Sequence, residues 1–144
     1  MAQIFIGGHS HTTALGIPLK TADGSNEVVD VPETDGRIKA VVGAWQNSRE
    51  DSYWETLATA AEGKTIAVIW GGNFHNFYLL LQGDKPFDFW LSERPDLPPD
   101  ASVGIVPRRA VEECVRPGIH KLQQALAVLR ASKAKRIVFV ETPP

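Results

Sequence analysis

Four short runs of aliphatic and β-branched residues, at 4–6, 38–43, 65–70 and 136–141, constrain this chain more than any other feature. Each is apolar at successive positions rather than at alternate ones, so each needs cover on both faces, as strands of a parallel sheet do. Helical patterns lie between them. Ser48 with Asp51 three residues later resembles a capping box, Tyr53, Leu57, Ala60 and Ala61 then share one helical face, and Gly63 ends the segment. From Pro107 onward, Val111, Val115, Ile119, Leu122, Leu126 and Leu129 keep spacings of three and four, which predicts a long amphipathic helix with a kink at Pro117. Cys114 lies beside that apolar face and reads as packing, and His120, facing out or sideways on the helix, reads as structural. Strand alternating with helix predicts an α/β fold, a parallel sheet covered by helices in three layers.

The chain of 144 residues is long enough for one domain, which at this size buries about 68–70% of the surface of its unfolded chain. After the first run, Gly16 and Pro18 limit any helix to about two turns. Residues 20–36 read as loop around a short apolar run at 28–31, and 92–107, rich in Pro and Asp, read as irregular. Residues 77–81 and 87–91 flank Gln82-Gly83-Asp84-Lys85-Pro86 as a hairpin would, with a helix over 74–82 as the alternative. Fifteen basic against 17 acidic residues, a formal charge of −2, leave no electrostatic footprint for nucleic acid or an anionic membrane surface. The basic group Arg130, Lys133, Lys135 and Arg136 reads as a solvated helix end. One cysteine precludes an intramolecular disulfide and fits a reducing compartment. With no signal-peptide pattern and no apolar run long enough for a bilayer, a cytoplasmic protein without a membrane partner is expected.

Candidate chemistry gathers where the runs stop. Gly7-Gly8-His9-Ser10 follows the first, Gly43 the second and Gly71-Gly72-Asn73 the third. In a parallel sheet these turns share one end, the carboxyl end where such sheets hold ligands. A serine hydroxyl, a glycine N–H and an asparagine amide there supply a nucleophile and oxyanion donors, the needs of acyl transfer. His9 and His11 form a His-x-His, a spacing that binds zinc, but no Cys or carboxylate cluster stands near them, so no metal is expected. His75 is close enough in sequence to Asn73 to act as a base in the same cleft. Trp70, Phe74, Phe77, Tyr78, Phe87, Phe89 and Trp90 read as core, with an apolar acyl pocket as the alternative.

In these residues the chain resembles the SGNH/GDSL hydrolase family, whose four sequence blocks carry serine, glycine, asparagine and histidine on a flavodoxin-like three-layer fold. The resemblance covers most of the chain. Gly8-His9-Ser10 is similar to the family's Gly-Asp-Ser, Gly43 to the second-block glycine, and Gly71-Gly72-Asn73 to the Gly-x-Asn of the third block. It implies Ser10 as nucleophile, an oxyanion hole from the Ser10 and Gly43 backbone N–H groups and the Asn73 side chain, a small ester substrate and no cofactor. His9, His11, Gly72 and His75 would line the substrate site. The chain departs from the pattern at His9, where the family has aspartate, and at Phe74, where an Asp commonly follows the asparagine. No Asp-x-x-His occurs, so the family's general base is missing. The resemblance thus implies the front part of such a domain, C-terminally incomplete, lacking the last strand and helix. Strand order 2-1-3-4-5 then leaves the strand at 136–141 as an apolar edge, through which copies associate or which a further segment, in cis or in trans, completes. Two other functions stay open: a non-catalytic relative that binds a small ligand in the same cleft, and a metal-dependent hydrolase using His9 and His11.

Overall fold

The computed structural model describes residues 3–8, 10–44, 50–70 and 86–140, with the backbone alone at Ser10 and His11. Its strands are β1 (Ile4–Gly8), β2 (Glu27–Asp30), β3 (Ile38–Val42), β4 (Thr65–Ile69), β5 (Phe87–Asp88), β6 (Gly104–Ile105) and β7 (Arg136–Phe139), and its α-helices are α1 (Asp51–Ala60) and α2 (Arg108–Ala131). The fold is α/β with a five-stranded, mostly parallel sheet in the order β2-β3-β1-β4-β7. Ile4 lies beside both Ile38 and Thr65, and Ile66 beside Ile137, so β3, β1, β4 and β7 all run the same way.

Successive residues of a strand point to opposite faces, and the apolar runs bury both. Phe5, Val41, Ile66 and Val68 face Tyr53, Trp54 and Leu57 of α1 and Ala125 and Leu129 of α2. Ile6, Ala40, Val42 and Ala67 face the other way, against Ile17 and Val31 from the connections. Trp54, Leu57 and Ile66 are almost wholly buried, each contributing about 1.5–3 kcal/mol by removal from water. Trp70 stacks on Trp54 at 5.6 Å between ring centroids, which gives this aromatic residue a core role.

Several local expectations are corrected. The run at 28–31 is not merely loop: β2 pairs antiparallel with β3, Val29 opposite Ala40, and the tight connection is held by Val31 N–H on the Ile38 carbonyl and by the Thr34 hydroxyl on the Val31 carbonyl. The N-cap of α1 is Glu50, without a side-chain cap hydrogen bond, and Ser48, the other half of the expected box with Asp51, lies outside the described residues. Gly63 does end the segment, with φ +69°, and its N–H donates to the Lys133 carbonyl at 2.9 Å. Along α2 the buried positions are Gly118, Ala125 and Leu129, whereas Ile119 is half exposed and Cys114 is exposed rather than packed. The stripe therefore passes through Gly118 instead of Ile119. His120, expected to face out or sideways on this helix, is exposed.

The chain divides into two compact units, residues 1–71 with 121–144, and residues 72–120. Among the described residues both buried clusters lie in the first. In the second, β5 pairs in parallel with β6, Phe87 opposite Gly104, and the arm at 77–81 expected to form a hairpin with it lies outside the described residues. The Asp88 carboxylate accepts the N–H groups of Phe89 and Asp100, and the Asp100 carboxylate accepts the N–H of Ser102. Arg108 lies against Glu93 and holds its carboxyl down at about 2. These groups are solvated and add little stability. Among the described residues no helix is long and apolar enough to cross a membrane.

Candidate functional site

The carboxyl ends of β1, β3 and β4 lie side by side because these strands are parallel neighbours. Gly8 ends β1 beside Ile69 of β4, and Gly43 follows the last residue of β3. Ser10 opens a 3-10 helix, Ser10–Leu15, immediately beyond β1. Such a tight, short element carries far less aligned dipole than a long α-helix, so the helix field at Ser10 is small. The structure thus brings Ser10 and Gly43 to the same end of the sheet. His9, Gly72, Asn73 and His75 lie outside the described residues, as do Phe74, Phe77 and Tyr78, and the side chains of Ser10 and His11 are likewise not described.

Gly7 and Gly8 have a structural reason apart from any chemistry. A Cβ on Gly7 would run into the Leu57 side chain, with Trp54 and Tyr53 close behind. Gly8 has φ +154°, and a Cβ there would collide with the carbonyl of Ile69 in the adjacent strand. The two glycines let α1 and β4 approach the end of β1 closely. Their presence before Ser10 is therefore required by packing whatever the serine does.

Tyr53 is the residue whose part in the site the sequence did not disclose. The helical pattern marks it only as core, but its buried hydroxyl accepts the Gly8 N–H at 3.0 Å and donates to the Val41 carbonyl at 2.9 Å. It ties the ends of β1 and β3 together just before Ser10 and Gly43. Burial pushes the phenol up to about 12, so it stays a neutral donor and acceptor across the ordinary pH range. The signal was the residue type itself, since a tyrosine on a buried helical face needs a polar partner. Tyr53→Phe is expected to destabilise the protein by about 1–3 kcal/mol, because it strands a buried N–H and weakens the satisfaction of a buried carbonyl. Urea unfolding reads this directly, and an unchanged midpoint would mean the hydroxyl pins nothing.

Gly43 is buried, and its carbonyl accepts the N–H of buried Thr21 at 3.0 Å, while the Thr21 hydroxyl donates to the Ser25 carbonyl at 2.7 Å. The loop at 20–25 is thereby fixed against the end of β3. Other serines already use their hydroxyls locally: Ser25 donates to Asp23, Ser102 to Asp100, Ser92 to Glu93 and Ser132 to the Leu129 carbonyl. Among the described residues no group of three His, Cys, Asp or Glu side chains could hold a metal ion. Phe87 and Phe89 are half-buried and Trp90 is exposed, so Trp90 belongs to no core. No family model matches the chain, and no curated protein or solved structure matches it.

Proposed function

We propose that the protein is a cytoplasmic, serine-dependent ester hydrolase of the SGNH/GDSL kind, with Ser10 as the nucleophile. The observation that carries this reading is the convergence of Ser10 and Gly43 at one carboxyl end of adjacent parallel strands, where open α/β sheets bind ligands. The order of the parallel strands, β3-β1-β4-β7, supports a flavodoxin-like arrangement. In the mechanism, the Ser10 hydroxyl oxygen attacks the ester carbonyl carbon while its proton passes to a base, the bond to the leaving oxygen breaks as the base returns that proton to it, and water then hydrolyses the acyl group from Ser10. The backbone N–H groups of Ser10 and Gly43, with the Asn73 amide, would hold the oxyanion. His75 is the candidate base, because no Asp-x-x-His occurs in the chain. That same lack favours the second reading, a relative that binds a small ligand without turnover.

An alkyl phosphonate carrying a good leaving group tests the assignment, since it reports nucleophilicity even where hydrolysis is slow. Peptide mapping is expected to find the adduct on Ser10 in the folded protein. Labelling of Ser25, Ser92 or Ser102 with Ser10 untouched would place the chemistry elsewhere, and no labelling at all would leave the ligand-binding reading in its place.

A further inference from the structure

Main-chain bonds in a parallel pair of strands recur at every second residue. The Ile4 N–H donates to the Arg37 carbonyl, so Ile6 and Gly8 also turn their N–H groups toward β3, and in step with the pair Ile4–Ile38 their acceptors are the carbonyls of Lys39 and Val41. The last of these bonds is not made directly. The Tyr53 hydroxyl stands in it, accepting the Gly8 N–H at 3.0 Å and donating to the Val41 carbonyl at 2.9 Å. Two bonds in series replace one, so an oxygen atom separates the ends of β1 and β3. Accordingly β1 keeps register with β3 only from Ile4–Ile38 to Ile6–Ala40, whereas it keeps register with β4 as far as Gly8–Ile69. The opening lies on the β3 side alone.

The same alternation reaches Gly43. Counting along β3, Val41 and then Gly43 turn their N–H groups toward β1, where the acceptors in step are the carbonyls of Ile6 and Gly8. With the ladder interrupted one step earlier, the second of these bonds does not form: among the described residues no carbonyl accepts the N–H of buried Gly43, although the Gly43 carbonyl is taken by the Thr21 N–H. Buried N–H groups are nearly all paired, so this one is a donor open to a ligand oxygen. We propose that Tyr53 is a positioning residue of the site, whose hydroxyl keeps the Gly43 N–H out of the ladder and available to a carbonyl or carboxylate oxygen, a role that rests on reading Gly43 as an oxyanion donor. The ring is held for this. Tyr53 is 3% exposed and meets Trp54 edge-on at 5.0 Å between centroids, and Gly7 lacks the Cβ that would press on Leu57 and hold α1 away from β1.

Solution NMR of the full chain tests this. Couplings across hydrogen bonds are expected from the Val41 N–H to the Ile6 carbonyl, and none from the Gly43 N–H to the Gly8 carbonyl. Butyrate, whose charged oxygen resembles the oxyanion, is expected to move the Gly43 amide proton downfield as it binds. Tyr53→Phe should weaken that binding about tenfold and lower kcat on a short aryl ester about tenfold with KM little changed, because the donor acts on developed charge. Gly63→Ala, a destabilising change away from the site, should do neither, which separates positioning from mere loss of stability. Butyrate bound in this way with no label on Ser10 and no turnover would remove the hydrolase reading and leave the role of Tyr53 standing. A labelled Ser10 with butyrate binding and kcat both indifferent to Tyr53→Phe would do the reverse. If Tyr53→Phe fails to fold, the parent protein decides: a coupling from Gly43 to Gly8, or a Gly43 amide unmoved by butyrate, overturns the assignment.

Discussion

An Asn73→Ala variant is expected to hydrolyse a short-chain aryl ester about 10²–10³-fold more slowly in kcat, with KM little changed. The reason is that an oxyanion donor strengthens its bond only as the carbonyl oxygen gains charge, so its loss falls on the transition state and spares the ground state. Ser10→Ala in the same assay is expected to abolish the acyl-enzyme burst altogether. Because no Asp-x-x-His accompanies this serine, the parent activity itself is expected to be low, in the range left to triad enzymes without their base, roughly 10³–10⁴-fold over water. His75→Ala separates the two sources of the proton acceptor: loss of that remaining activity identifies His75 as the base, and retention assigns the step to water. A vigorous esterase indifferent to Ser10 and Asn73 would place the site outside this end of the sheet.

Gly8→Ala is expected to cost several kcal/mol, the largest stability effect of any single methyl group added to the sheet. Two penalties combine. The backbone at φ +154° is one that a side chain rarely adopts, worth about 1–3 kcal/mol, and overpacking against the Ile69 carbonyl adds about 1–3 kcal/mol more. Relief by a shift of β4 is blocked, because Ile69 lies in the register that runs from Ile4–Thr65 to Gly8–Ile69. Gly63→Ala is the matched comparison: φ is +69°, but nothing lies within 4 Å of the added carbon, so only the conformational cost of about 1–2 kcal/mol is expected. Against a total stability of about 5–15 kcal/mol, Gly8→Ala should lower the urea midpoint sharply and Gly63→Ala modestly. Equal midpoints would remove the close approach of β1 and β4 as the reason for glycine at position 8.

The candidate site divides in the same way as these two variants. Ser10 and Gly43 stood out in the sequence because each follows an apolar run, and parallel pairing of β1 with β3 carries them to one end of the sheet. Tyr53 did not stand out, since a periodic apolar face says that a residue is buried and says nothing of what its hydroxyl meets. Only the packing of α1 across the sheet delivers that oxygen to the Gly8 N–H and the Val41 carbonyl.

What the sequence determined by itself was local. The positions of β1, β3, β4 and β7, the extent of α2 and the stop at Gly63 follow from the chain's own periodicity, from β-branched runs and from a glycine able to take a positive φ. What the tertiary structure decided depends on partners distant in the chain. β2 became a strand because β3 lay ready to pair with it, although its own residues read only as a short apolar run within a loop. The stripe of α2 runs through Gly118 while Ile119 faces solvent, because the surface a helix meets chooses its face and a spacing of three or four admits either neighbour. Gly7 and Gly8 look in the sequence like a turn before a nucleophile, and their necessity comes from Leu57 and the Ile69 carbonyl, atoms far away in the chain that close packing brings against β1.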